Sequence, residues 1–227
     1  MPFSTRFGDH FYARADGRAE CRHVFLAGNG LPERWRHLGP GERFVIAELG
    51  FGTGLNVAET WRQWRETAPE GAHLKIVSFE AHPMETQEMA RALAAWPDLA
   101  AEASALAARW ATLSPLPRVW DLDAHTALEV RVGMAEETVP VWEGAADAWY
   151  LDGFAPSRNP QMWSAELMRA VAVRTRPQGT FATYTAAGWV RRNLIAAGFE
   201  VDRRPGFAGK REMMAGRLPA TCLPANS

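Results

Sequence analysis

Short apolar runs of strand length alternate with longer stretches of helical period along this chain. Strands are expected at 43–49, 74–79, 118–122, 127–132, 148–151, 180–183, 199–202 and 211–215. Helices are expected at 55–66, from Pro83 to about Trp110, at 164–174 and at 189–197. The long alanine-rich stretch breaks near Pro97, where Asp98 suits the N-cap of its second piece. Asp123-Ala-His125 separates two strand candidates closely enough for a hairpin, and Pro177-Gln-Gly179 reads as a turn before 180–183. Strands alternating with helices of ten or more residues predict an α/β fold, a mainly parallel sheet with helices on both faces. Ligands of such sheets sit beyond the carboxyl ends of the strands, so residues 48–54, Glu80, Gly133-Met134 and Asp152 are expected to converge.

The most specific chemistry lies at the first of those strand ends, Glu48-Leu-Gly50-Phe-Gly52-Thr-Gly54, followed by Leu55 and Asn56. Alternate glycines let backbone N–H groups approach a ligand closely. A dinucleotide fingerprint needs a third glycine three residues after the second, and those positions hold Leu55 or Val57. An acidic residue two positions before a G-x-G-x-G turn suits instead a nucleoside with a cationic or zwitterionic tail, which points to S-adenosylmethionine. The same turn also serves plain β-to-α connections. Glu80, ending the next strand, is placed to accept two ribose hydroxyls, although strand-end acids also cap helices. Asp152 ends a further strand and enters a loop stiffened by Pro156 and Pro160. There it can bind and orient an ammonium and help it lose its proton, or bond the loop's own amides, with Phe154 as core; the two roles are compatible.

Composition narrows the class only slightly. The chain has 227 residues, 47% of them hydrophobic, enough for one substantial core. Cys21 and Cys222 stand far apart with no metal-ligand spacing, so neither a disulfide framework nor a metal site is expected. The opening Met1-Pro-Phe-Ser-Thr-Arg6 lacks a signal-peptide core and no run is long enough to span a membrane, so a cytoplasmic location is expected. Net charge is −1, but residues 1–150 hold 14 Lys and Arg against 21 Asp and Glu, whereas residues 151–227 hold 11 against 5. The carboxyl-terminal excess, much of it in Arg191-Arg192, Arg203-Arg204 and Lys210-Arg211, suits a basic face for nucleic acid or an ordinary solvated surface.

Several motifs in one order carry a family resemblance. Residues 48–56, Leu151-Asp-Gly-Phe-Ala-Pro156 with Asn159-Pro160, Thr183-Tyr-Thr-Ala-Ala-Gly-Trp-Val-Arg-Arg192, Gly206-Phe-Ala-Gly-Lys-Arg-Glu-Met213 and the opening Arg22-His-Val-Phe-Leu26 with Gly28-Asn29 resemble the methyltransferase half of MnmC, also found alone as MnmD. The likeness runs from about Phe7 to Gly216. It implies a Rossmann-like class I S-adenosylmethionine-dependent methyltransferase whose mainly parallel sheet ends in an antiparallel strand. Residues 1–42 would form a small N-terminal extension packed on a methyltransferase domain at 43–227.

The implied reaction is N-methylation of 5-aminomethyl-(2-thio)uridine at the tRNA wobble position, with Asp152 catalytic. Cofactor contacts are expected from Glu48, Gly50, Phe51, Gly52, Gly54, Leu55, Asn56, Glu80, Gly133, Met134 and Asp152. Phe154, Pro156, Arg158, Asn159, Arg191, Arg192, Lys210 and Arg211 are expected to meet the anticodon region of tRNA. The family commonly has Gly-Asp where this chain has Gly133-Met134, so adenine recognition here falls to the Met134 thioether and backbone, with Glu136 or Glu137 for the amino group. Arg158 stands where relatives often carry lysine. The bifunctional relatives continue into a flavin-dependent oxidase, whereas this chain ends at Ser227 and is expected to lack that half. Another small-molecule methyl or aminopropyl transferase, or a non-catalytic RNA-binding relative, remains open on the same fold.

Overall fold

A computed structural model of the chain describes residues 16–112 and 118–220, together with the backbone of two short strands before them. Phe7, Cys222 and the side chains of the opening segment lie outside the described residues. Strand β1 (Phe3–Ser4) pairs antiparallel with β2 (Asp9–His10). Then come helix α1 (Gly17–Glu20), a π-helical stretch at Cys21–Ala27, and α2 (Leu31–Arg36). The alternating part begins with β3 (Arg43–Leu49), α3 (Leu55–Thr67), β4 (His73–Glu80), α4 (Thr86–Leu93) and α5 (Ala100–Trp110). It continues through the hairpin β5 (Arg118–Asp123) and β6 (Thr126–Val132), then α6 (Ala135–Thr138), β7 (Ala146–Leu151) and α7 (Ala165–Val173). Strand β8 (Thr175–Thr183), α8 (Gly188–Ala196), β9 (Glu200–Pro205) and β10 (Glu212–Arg217) complete it.

Eight strands form one sheet in the order β5-β6-β4-β3-β7-β8-β10-β9. Strands β6, β4, β3, β7 and β8 run parallel, and β10 inserts antiparallel between β8 and β9. Central β3 is buried on both faces, as a parallel strand covered on two sides must be. Phe44 and Ile46 join one core with Trp61 and Trp64 of α3, whereas Val45, Ala47 and Leu49 join the other with Trp149, Trp163 and Val190. At the sheet edge, β9 exposes Arg203 and Arg204, charges that discourage further strand pairing.

Three local expectations are corrected. Asp98 does not cap α5, whose boundary is Leu99; its carboxylate instead accepts from Arg18 Nη1 at 3.0 Å, a tertiary ion pair that overrides the local preference. The fourth helix begins at Thr86 rather than Pro83, because the chain is held back at His82, whose N–H donates to the Glu80 carboxylate. Pro177-Gln-Gly179 is no free turn. It lies inside β8 as an irregularity where the pairing with β7 jumps from Ala146↔Thr175 to Ala148↔Thr180, with Gln178 at φ +64°. Reciprocal bonds, Gln178 N–H to the Leu218 carbonyl and Leu218 N–H to the Gly179 carbonyl, hold it there.

Candidate active site

Beyond β3 the chain turns through Gly50, Gly52 and Gly54 at φ +84°, +55° and +77°, left-handed values that side chains resist. Gly50 N–H donates to the Phe79 carbonyl at 2.8 Å, binding the turn to β4. A Cβ at Gly50 would meet only the Cα of Gly153, 4.0 Å away, so the turn faces open space bordered by the loop after β7. Phe51 turns the other way and stacks on Trp110 with ring centres 4.1 Å apart, and Leu55 is also buried in the core. These two positions therefore offer a ligand their backbone, not their side chains.

Glu80, at the end of β4, is gripped on both oxygens. Oε2 accepts from Gly52 N–H at 2.9 Å and Oε1 from His82 N–H at 2.6 Å. Each oxygen of a carboxylate keeps a further acceptor position beyond one such bond. The Glu80 carbonyl accepts from Gly133 N–H at 2.9 Å, which brings the end of β6 to the same place. Next to it, the Met134 carbonyl starts α6, accepting from the N–H groups of Glu137 and Thr138 and from the Thr138 hydroxyl. Glu136 Oε2 is buried without a hydrogen-bond partner among the described residues.

Glu48 is 1% exposed, and neither carboxylate oxygen has a hydrogen-bond partner among the described residues. Burial pushes its carboxyl well above the usual range, with Asp152 and Glu80 adding repulsion against the opposing pull of the nearby Ser78 and Asn56 side chains. A buried orphan of this kind calls for a partner, and an ammonium-bearing ligand supplies one.

Asp152 lies across from it. Oδ2 accepts from Asn56 Nδ2 at 2.8 Å, and Oδ1 accepts from Gly153 N–H at 2.8 Å. Burial raises its carboxyl to about 7, outweighing those two bonds; beyond them Glu20 pushes upward and Lys210 downward. The loop that follows is stiff for more reasons than its prolines. The Tyr184 hydroxyl donates to the Gly153 carbonyl, Trp163 Nε1 to the Phe154 carbonyl, and Asn193 Nδ2 to the Trp163 carbonyl. Arg158 and Asn159 N–H groups both donate to the Ala155 carbonyl, and Pro156 is buried. Four strand ends thus converge, joined by the Glu80 and Asn56 side chains and by the backbone bond from Gly133 to Glu80.

The carboxyl-terminal cations are less available than their count suggests. Arg203 pairs with Glu212, Arg217 with Glu200 and Arg176 with Asp147, and Arg204 Nη1 donates to the Gly28 carbonyl. Lys210, expected to face phosphate, lies with Nζ 2.9 Å from Glu20 Oε1 and 4.2 Å from the centre of the Tyr184 ring. Arg192 and Arg211 are exposed, whereas Arg191 is half-buried with its Nε unpartnered among the described residues. Sequence reasoning gave no role to Glu20, Ser78 or Tyr184. Tyr184 lay inside a motif already singled out, but Glu20 carries no local signal at all.

A family model for S-adenosyl-L-methionine-dependent methyltransferases matches residues 97–219, more than half the chain, and the chain belongs to that family. Its curated relatives are more particular. The tRNA 5-methylaminomethyl-2-thiouridine biosynthesis bifunctional protein MnmC of Chromohalobacter salexigens is 45% identical over 220 residues, covering 96% of this chain and 31% of its own length. The MnmC of Pseudomonas aeruginosa is 44% identical over 228 residues, covering 100% of this chain and 35% of its own. This chain therefore spans about a third of the length of the curated relatives it matches. The crystal structure of MnmC2 from Aquifex aeolicus shares the fold, with a TM-score of 0.74 at 21% identity over 99% of this chain and 68% of that one. S-adenosylmethionine, the cofactor of the family, supplies an electrophilic methyl group when bound. The open glycine turn, the Glu80 carboxylate held at the end of β4 and the buried Glu48 fit such a molecule. No helix among the described residues is long and apolar enough to cross a membrane.

Proposed function

We propose that this chain methylates the amine of 5-aminomethyl-(2-thio)uridine at the tRNA wobble position, giving the 5-methylaminomethyl form. The observation that carries this reading is Asp152, a partly buried carboxyl at about 7 held against the cofactor cradle by Asn56. A primary amine is mostly protonated near neutral pH. A carboxylate titrating near 7 takes that proton and leaves the lone pair aimed by a stiff loop. The nitrogen lone pair then forms a bond to the methyl carbon, and the electrons of the broken carbon–sulfur bond stay on sulfur. The names of the curated relatives support the substrate class.

In this reading the backbone of residues 50–56 and the side chains of Glu48 and Glu80 hold the cofactor, Glu80 at the ribose hydroxyls and Glu48 at the ammonium. Gly133 and Met134 border the base, and the spare oxygen of Glu136 answers its amino group. Phe154, Pro156, Arg158 and Asn159 shape the uridine side, with Arg191, Arg192 and Arg211 toward phosphates. The protein acts in the cytoplasm on tRNA, and residues before Arg43 serve as an extension of the methyltransferase unit. Support for the last point comes from Arg18 and Arg22 gripping Glu59, and from the Asn29 amide bonded to the Trp149 carbonyl. The test is nucleoside mass analysis of aminomethyl-bearing tRNA incubated with the protein and methyl-labelled cofactor. Label in the methylaminomethyl nucleoside is the expected result; label only in free small amines overturns the reading.

A further inference from the structure

Lys210 reaches into the site from the connection between β9 and β10, and what it touches there is a recognisable pair of groups. Its ammonium lies 2.9 Å from Glu20 Oε1 and 4.2 Å from the centre of the Tyr184 ring. A carboxylate beside an aromatic face is a combination that takes alkylammonium ions. The partners differ in burial: the Glu20 side chain is 10% exposed, that of Lys210 43%. The carboxylate belongs to the wall of the site, whereas the ammonium is brought in from outside on a flexible stem. That wall adjoins the catalytic carboxyl, because the Tyr184 hydroxyl donates to the carbonyl of Gly153 at 2.8 Å. Glu20 and Lys210 also both act electrostatically on Asp152.

Resting on the reading above, we propose that Glu20 and the Tyr184 ring form the subsite for the primary ammonium of the aminomethyl group, and that Lys210 fills it in the free protein as a displaceable stand-in. The two occupants are chemically alike, each a primary ammonium on a saturated carbon. Exchanging one for the other keeps a primary ammonium on Glu20 Oε1. Lys210 has somewhere to go. Residues 208–211 are exposed, and Gly209, at φ +85°, has nothing within 4 Å of where a Cβ would stand. The competing view is a plain structural tie in which the Glu20–Lys210 pair fastens α1 to the last hairpin. Under a tie, removing either partner does the same harm; under a stand-in, the two removals diverge.

Glu20→Gln, Lys210→Met and the double variant separate these views. In steady-state methyl transfer to aminomethyl-bearing tRNA, Glu20→Gln should raise KM about tenfold or more, the loss expected for one charge-assisted contact, with cofactor affinity unchanged. Lys210→Met should leave KM unchanged or lower it. Equal increases in both variants, or an unaltered KM in Glu20→Gln, overturn the proposal. A second readout needs no turnover. Ethylammonium chloride titrated into the Lys210→Met protein should shift the Tyr184 ring proton signals saturably, and the added Glu20→Gln change should weaken that binding severalfold. No shift in Lys210→Met overturns the subsite. Ethylammonium binding without any methylation of tRNA by the wild type instead overturns the tRNA reading and supports the subsite as an amine site.

Discussion

At Asp152 the deciding balance is between burial, which disfavours charge, and two hydrogen bonds that favour it, and burial prevails. The carboxyl, ordinarily near 3.8, stands at about 7 among Asn56, Glu48, Glu20 and Lys210. Only its ionised form accepts a proton, so single-turnover methyl transfer should rise with pH through about 7 and level off above it. In Asp152→Asn the transfer should be lost at every pH while calorimetry finds cofactor affinity little changed; a near wild-type rate would leave Asp152 only its structural bonds to Asn56 and the Gly153 amide. The sign of the linkage gives a second check. Because the folded value lies above the unfolded one, ionisation costs stability, a penalty absent below pH 3.8 that grows as pH climbs to about 7. The Asn variant should therefore melt no lower than wild type at pH 8. Glu80 is the contrasting case, for its oxygens accept from Gly52 and His82 and its proposed role is to accept hydroxyls as well. Glu80→Ala should weaken cofactor binding about tenfold or more, from the loss of roughly 1.5–3 kcal/mol of charge-assisted bonding. Unchanged affinity in the folded variant would remove Glu80 from the site.

Among the elements, α1 depends on α3 for its position. Glu59 of α3 has a fully buried side chain and accepts from Arg18 and Arg22 at 2.6 Å each, from Arg62 at 3.2 Å and from Gln63 at 3.1 Å. Burial would raise its carboxyl, but the bonds from Arg62, Arg22, Arg18 and Gln63 win and hold it at about 2. The stabilisation is complete above the unfolded value of about 4.5 and is lost as pH falls through about 2. Glu59→Gln should cost about 3 kcal/mol by denaturant unfolding at pH 7. Its deficit should shrink as pH falls from about 4.5 toward 2, and an undiminished deficit would refute the assignment. Neither helix α1 nor α2 was legible in the sequence, since each is shorter than two turns of periodic pattern and stands by tertiary bonds. The apolar strands were legible, as was the glycine turn, whose backbone conformation is dictated by the residues that occupy it. Asp98 shows the limit: a good local cap was outbid by an arginine eighty residues away in sequence.

For the molecule as a whole, charge is the property that least resembles its one-dimensional reading. The excess after residue 150 looked like a basic face, yet Arg176, Arg203, Arg217 and Lys210 all have acidic partners. Arg192 and Arg211 remain exposed. If they meet phosphate, removing both charges should weaken tRNA binding and flatten log affinity against log salt by about 0.7–0.9 per contact, with cofactor affinity unaltered. Wild-type affinity and slope in the double variant would move the tRNA face elsewhere. By itself the sequence determined the order of the main sheet's strands and of the longer helices, the glycine turn and the carboxylates at the strand ends, because periodicity and backbone preference act between near neighbours. That these strand ends converge also followed from the order of the elements, whereas the bonds that join them were decided only by the tertiary structure. Asn56 on Asp152, Gly52 on Glu80 and Lys210 on Glu20 join residues far apart in the chain. The burial that lifts Asp152 to about 7 exists only once the layers have packed around it.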